Sequence, residues 1–272
     1  MGRYQWGDKM QTGCDTFLKA LEQWAPLSYA EEWDNCGLQV GRRDKQLNKI
    51  VIALTPGEAA IQAAVDAKVD MLLTHHPMIF KPTKTVTTDT VLGQSIIKLI
   101  QNDINLYCAH TNLDIAVGGV NDELAKALQL QDVAVMENIT EEYGIGRVGV
   151  LAEPMTLNDF LSLVSDQLGC SHLAYQGDLA RTVQRVALCG GSGISYLSAA
   201  KKAGADVYVT GDMKYHDAQL ASELGICVVD AGHFGTEKQI VKALAAFAQA
   251  QGLDVMLFEE EDYLKHWTVG KE

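Results

Sequence analysis

Short apolar runs alternate with amphipathic stretches of about 10–18 residues, and the alternation is made twice along the chain. Apolar runs bounded by polar turns read as buried strands, and the longer stretches as helices laid over them, so the pattern predicts an α/β fold. In the first half it predicts a helix over 14–24, with Phe17, Leu18 and Leu21 on one face, then a short strand around Leu38–Val40. Strands at 50–54, 71–73 and 105–109 follow, interleaved with helices at 58–68 and 91–102, and a helix at 120–129 closes the half. The second half repeats the order: a helix over 156–168 with Thr156 as N-cap, a short strand at 172–175, strands at 185–189, 207–209 and 226–230, and helices at 194–203, 215–224 and 235–250. Two further strands, 144–151 and 254–258, are placed as ties between the halves.

Local sequence agrees with a duplication. Ala53-Leu54 matches Ala187-Leu188, the run Asp70–Thr74 matches Asp206–Thr210, and Ile104–His110 resembles Ile226–His233 with one extra residue. Only five prolines occur and no Ser/Pro/Gly-rich tether separates the halves, which are expected to pack tightly.

Composition narrows the function classes. The 272 residues are 47% hydrophobic and 21% charged, the balance of a globular chain, and no apolar run approaches the ~18 residues of a membrane span. Residues 1–9 lack the apolar core of a signal peptide and are read as a leader outside the fold. Twenty-two basic residues against 35 acidic ones leave a net charge of −13, which repels phosphate backbones and anionic lipid; neither nucleic acid nor a membrane is expected as partner. The six cysteines form no Cys-x-x-Cys pair and read as buried thiols of a reducing, cytoplasmic compartment.

The ligand-type residues collect after strands. His75 and His76 follow the run Met71–Leu73, and the carboxyl ends of strands face the ligand crevice of an open α/β sheet. Neighbouring residues of an extended chain point apart, so the pair reaches two ions, or one ring is turned by the exit at Pro77; surface histidines are the plain alternative. His110 and Asp114 follow the strand at 105–109, where Asp114 is a ligand or a cap. His233 and Glu237 are four apart and share a helix face, with Glu237 otherwise a favourable charge at a helix N-terminus. Asp212 and His216 orient ligands, or Asp212 caps the helix at 215–224. Three histidines and two carboxylates suit two divalent ions if the carboxylates bridge, whereas a closed structural zinc site would draw on cysteines.

The set Thr74-His75-His76-Pro77, His110-x-x-x-Asp114 and Gly232-His233-x-x-x-Glu237, with Thr210-Gly211-Asp212, resembles the NIF-three-like family, the GTP cyclohydrolase 1 type 2 homologues also described as dinuclear-metal-centre toroidal hexamers. The resemblance runs from about residue 12 to 262, and the connection near 130–155 is too short for the inserted domain of some members. It implies a three-layer α/β/α fold of two intertwined repeats with mixed sheets, here 12–132 and 133–262, and a homohexameric ring. It implies two divalent metal ions per chain, of zinc, manganese, iron, cobalt or nickel, held by His75, His76, Asp114, His233 and Glu237, with the carboxylates bridging. His110 matches a site histidine outside the ligand set, and it or Glu237 is the expected proton carrier.

The activity implied is hydrolysis of a nucleotide-type substrate: water activated by two metals attacks the imidazole carbon of a purine, opens the ring and releases formate. A two-metal phosphoesterase is the chemical neighbour. No phosphate-binding Gly-x-x-x-x-Gly-Lys-[Ser/Thr] loop is present, while Lys81, Lys84 and Lys214 either meet phosphates or are ordinary exposed lysines. A metal-handling or interaction protein without turnover is the alternative from another class.

Overall fold

The computed structural model describes residues 12–267; the leader read at 1–9 lies outside them. The chain forms two compact units. One is built on the residues up to His110 together with Leu244–Glu259, the other on Thr111–Ala243 and the residues from Glu260 on.

The first unit holds a five-stranded mixed sheet. Three parallel strands, Lys49–Ala53, Met71–Thr74 and Asn105–Cys108, form its middle. Gly37–Val40 adds antiparallel to the third, and Asp254–Leu257 adds parallel to the first. The strand expected at 254–258 is thus a member of this sheet, paired with a strand far from it in sequence. Val51, Ala53, Leu72 and Leu106 bury one face against Ile61 and Ala64 of the helix Glu58–Asp66 and Ile96 and Leu99 of the helix Val91–Gln101. Ile50, Ile52, Met71, Leu73 and Tyr107, of opposite parity, are equally buried. Continuous apolar strands are what a parallel sheet covered on both sides requires. The helix Cys14–Trp24 buries Phe17, Leu18 and Leu21, and Phe247 lies 5.9 Å from Phe17 and 5.2 Å from Trp24 between ring centroids.

The second unit repeats the plan. Thr182–Leu188, Val207–Thr210 and Cys227–Asp230 are parallel, and Ala174–Gln176 adds antiparallel to the third. The far edge is an antiparallel hairpin of Gly144–Thr156 and Gln131–Asn138. One face packs Val186, Leu188, Val207 and Val209 against Leu124 and Leu128, and against Phe160, Val164 and Leu168 of the helix Leu157–Leu168. Thr156 caps that helix by accepting from the Asp159 amide, a contribution of about 1 kcal/mol.

Equivalent residues make equivalent bonds. The Asp70 carboxylate accepts the amides of Asn48 and Lys49 at 2.8 and 3.1 Å, and Asp206 accepts those of Gln184 and Arg185 at 3.0 and 2.9 Å. The carbonyls of Thr74 and Thr210 accept the amides of Ala109 and Ala231, each at 2.9 Å. The matching peptides noticed in the sequence therefore do the same work at the same places in the two sheets.

One expectation fails and one strand went unforeseen. The helix expected at 235–250 is broken into His233–Glu237 and Ile240–Ala250. The Thr236 hydroxyl bonds back to the carbonyls of Gly232 and His233, both at 3.0 Å, and such back-bonding bends a helix. The strand Gln131–Asn138 had no signal in the pattern, because all its residues but Met136 are exposed. Among the described residues no disulfide forms, and no helix is long and apolar enough to cross a membrane.

Candidate metal centre

In the first unit His75, His76 and His110 come together. The strand Met71–Thr74 ends one residue before His75, so the histidine pair lies in the turn and not in extended chain. The Thr74 hydroxyl donates to the His76 carbonyl at 2.8 Å, and the His76 amide donates to Leu54 at 2.8 Å. That turn brings the imidazoles of His75 and His76 side by side, 5.0 Å between centroids, which resolves the geometric difficulty of adjacent ligands. His110, just beyond the neighbouring parallel strand, sits 5.2 Å from His75 and 5.8 Å from His76. Each of the three offers one ring nitrogen within 4.8 Å of the others.

In the second unit the remaining three residues converge. Asp114, a ligand or else a loop or cap residue on the sequence, lies on a short helix, Thr111–Ile115. It and Glu237 place carboxylate oxygens within 4.8 Å of one another. Glu237 is buried at the end of the short helix His233–Glu237, three residues before the helix Ile240–Ala250. Its Oε2 lies 3.1 Å from His233 Nε2.

Every one of these imidazoles has its Nδ1 engaged. His75 Nδ1 lies 2.8 Å from the carbonyl oxygen of Ala109, and His76 Nδ1 lies 3.0 Å from the Thr55 hydroxyl. His110 Nδ1 lies 2.9 Å from Asp34, and His233 Nδ1 lies 2.8 Å from Asp212. A carbonyl or carboxylate only accepts, so Nδ1 of His75, His110 and His233 carries the proton. In neutral His75 and His110 the lone pair is then on Nε2. Nδ1 anchored to a carbonyl or carboxylate is the usual support of a metal-ligating histidine.

Electrostatics point the same way. Burial alone would lower His233, but the hydrogen bond and charge of Glu237, with Asp212 behind, outweigh it and raise its pKa to about 10. A proton there occupies the place of a cation between two carboxylates. The Cys189 thiol is pushed far up by burial and by the charges of Asp114 and Glu237. Imidazoles and carboxylates without sulfur fit zinc or a neighbouring first-row divalent ion.

Several residues that hold this arrangement escaped the sequence reading. Asp34, its side chain wholly buried, accepts from His110 and also from the Asn35 amide and the Cys36 thiol. Asn121 is buried; its Nδ2 donates to the Asp114 carbonyl and its Oδ1 accepts the Gly190 amide, both at 2.9 Å. Arg147 grips Asp122 through Nε and Nη2 and donates to the carbonyls of Ile115 and Ala116, which fixes the end of the Asp114 helix. Gly191 has φ +60°, and a Cβ on it would run into Glu237. An asparagine or arginine among ordinary polar residues gives no local signal of such a role.

Asp212 does not cap the helix Tyr215–Leu224; its N-cap is Lys214, whose amide donates to the Asp217 carboxylate at 2.8 Å. Asp212 holds His233 instead. His216 is exposed and meets Gln219 and Tyr215. Lys81, Lys84 and Lys214 are exposed.

Known proteins share this arrangement of sheets and the sequence that carries it. A Clostridium perfringens protein named GTP cyclohydrolase 1 type 2 homolog is 42% identical over 222 residues, 81% of this chain and 85% of the relative. The crystal structure of a Staphylococcus aureus hypothetical protein superposes with a TM-score of 0.88 at 28% identity, covering 95% of this chain and all of the other. A Bacillus cereus protein described as related to NIF3 gives 0.86 at 28% identity, over 96% and 99%. The Duf34/NIF3 (NGG1p interacting factor 3) family matches residues 12–262, every residue of both donor sets included, and the chain belongs to that family.

Proposed function

We propose that this protein holds two divalent metal ions through His75, His76, Asp114, His233 and Glu237, and that it is a metal-dependent hydrolase of a nucleotide-type small molecule. The observation that carries the reading is the anchoring of four imidazoles by their Nδ1 atoms, to Ala109, Thr55, Asp34 and Asp212. Bound at such donors, a pair of divalent ions supplies Lewis acidity and a water whose pKa falls toward ~7.

The residues of the chain supply the rest. Ala109 and Thr55 hold the rings of His75 and His76 so that ligation costs little reorganisation. Buried Glu237 and half-buried Asp114 bring negative charge, which offsets an incoming dication and suits them to bridging. Asp34 keeps the His110 proton on Nδ1, leaving Nε2 to take up and return a proton during hydrolysis. The name of the Clostridium relative favours a purine nucleotide as substrate. Assembly as a cytoplasmic homohexamer belongs to the same proposal.

The test is a turnover screen over nucleotides and phosphoesters, with protein reconstituted in turn with zinc, manganese, iron, cobalt and nickel. At matched metal occupancy, His110→Ala should lower the rate roughly 10²–10⁴-fold. Turnover unchanged in His110→Ala removes the proton-carrying role. No turnover in any metal form makes the protein a metal handler.

A further inference from the structure

Two large aromatic rings stand exposed beside the histidine cluster of the first unit. Trp33 is 58% exposed and Phe80 is 47% exposed. Their centroids lie 5.7 Å apart with planes at 63°, and Trp33 also meets His110 edge-on at 6.1 Å. Isolated exposed aromatics are ordinary, but these two are held in place. Gln39 Oε1 accepts the amides of Met78 and Ile79, both at 2.9 Å, and Asn35 Nδ2 donates to the Ile79 carbonyl at 2.6 Å. Gln39 Nε2 donates to the Asn35 carbonyl at 2.7 Å, which closes the link between the two loops. Phe80 follows Ile79 directly, and Trp33 precedes Asp34, the residue that anchors His110.

We infer that Trp33 and Phe80 form a stacking platform for the planar heterocyclic ring of a phosphorylated small molecule, presented edge-on to His110. The nucleotide class rests on the hydrolase reading above; the platform rests on the rings themselves. Size argues for a small ligand: an aromatic side chain buries about 150–250 Å², so two rings fall well short of the ~800 Å² per partner of a stable protein interface. Charge argues for a phosphorylated one. Lys81 and Lys84 follow Phe80 on the same exposed loop, in a chain whose net charge is −13. Rings set at an angle offer a face to stack on and an edge to abut, which is how aromatic groups prefer to meet.

The experiment is calorimetric titration of the full-length protein with guanosine 5′-monophosphate and, separately, with ribose 5-phosphate, which keeps the phosphate and lacks the ring. The variants are Trp33→Leu and Phe80→Leu, which stay apolar but lose the flat face. Wild-type protein should bind the nucleotide at least about 5-fold more tightly than the sugar phosphate. Each variant should bind the nucleotide about 5- to 150-fold more weakly, the range for one base–aromatic stack, with ribose 5-phosphate binding and metal content unchanged. Circular dichroism of both variants should match wild type, and two separate positions guard against one misfolding. The platform is wrong if the nucleotide does not bind, if it binds no better than ribose 5-phosphate, or if both variants bind it as wild type does. It is also wrong if a variant changes the molar mass in light scattering while nucleotide binding persists, because the rings then cover a contact between copies. Nucleotide binding, with no turnover of any nucleotide or phosphoester in any metal form, keeps the platform and ends the hydrolase; nucleotide turnover with unchanged KM in both variants does the reverse.

Discussion

The smallest side chain near the centre provides the sharpest perturbation. Gly191 has φ +60°, and the Cβ of Gly191→Ala would stand 3.0 Å from Glu237 Cδ and 3.3 Å from His233 Nε2, and closer still to Glu237 Oε1. Ordinary contacts of a Cβ begin near 3.4 Å, so the carboxylate must move by several tenths of an ångström or more. Metal–ligand distances tolerate only about ±0.2 Å, and disturbing even a supporting partner costs about 10–100-fold in affinity. Loss of at least that much is therefore expected for the site that uses Glu237. The left-handed backbone adds about 1–2 kcal/mol of strain, which must be separated from the clash. Gly225→Ala is the control: φ is +65°, it lies in the same unit, and nothing stands within 4 Å of its Cβ. Both variants should lose similar stability in thermal unfolding, and only Gly191→Ala should lose metal in calorimetric titration. Equal metal affinity in the two variants would refute the assignment of Glu237 as a ligand.

Other expectations follow from the same geometry. Asp212→Asn and Asp34→Asn should leave the fold intact; the first weakens metal binding about 10–100-fold by calorimetry, and the second slows turnover at full occupancy. Because the folded pKa of His233 is raised, its contribution to the stability of metal-free protein is complete below the unfolded value near 6.5 and disappears as pH rises through about 10. Thermal unfolding of metal-free protein across that window should show the loss, and Asp212→Asn should reduce it in part, since Glu237 remains. Metal binding near pH 7 should also release the His233 proton, seen as a dependence of binding heat on buffer ionisation. Light scattering at micromolar concentration should give about six times the 29.6 kDa of one chain, and a monomer at every concentration would remove the ring.

The parts of the fold that the sequence disclosed are those where one physical rule acts alone. The strands Met71–Thr74, Asn105–Cys108 and Val207–Thr210 are wholly buried, so apolar runs and flanking turns mark them within a residue. The helix Cys14–Trp24 has the expected bounds because its buried face recurs at helical spacing. The hairpin strand Gln131–Asn138 stayed hidden because pairing, not burial, holds it. The break after Glu237 was hidden too, because it turns on where the Thr236 hydroxyl bonds. Histidines and carboxylates after the strands could be singled out in the sequence because they interrupt apolar runs at the ends where an α/β sheet opens to ligands. Their supports, Asp34, Asn121 and Arg147, were not: Asp34 reaches His110 across 76 residues, and Asn121 and Arg147 act on backbone carbonyls, which any sequence offers.

The central claim is a two-metal centre that needs both carboxylates, and metal stoichiometry tests it most directly. Purified protein, reconstituted and freed of excess ion, should contain two divalent ions per chain by elemental analysis. Asp114→Ala should reduce occupancy at both positions, while His75→Ala or His76→Ala weakens mainly one. One ion per chain, with Asp114→Ala retaining it at full affinity, would contradict the account.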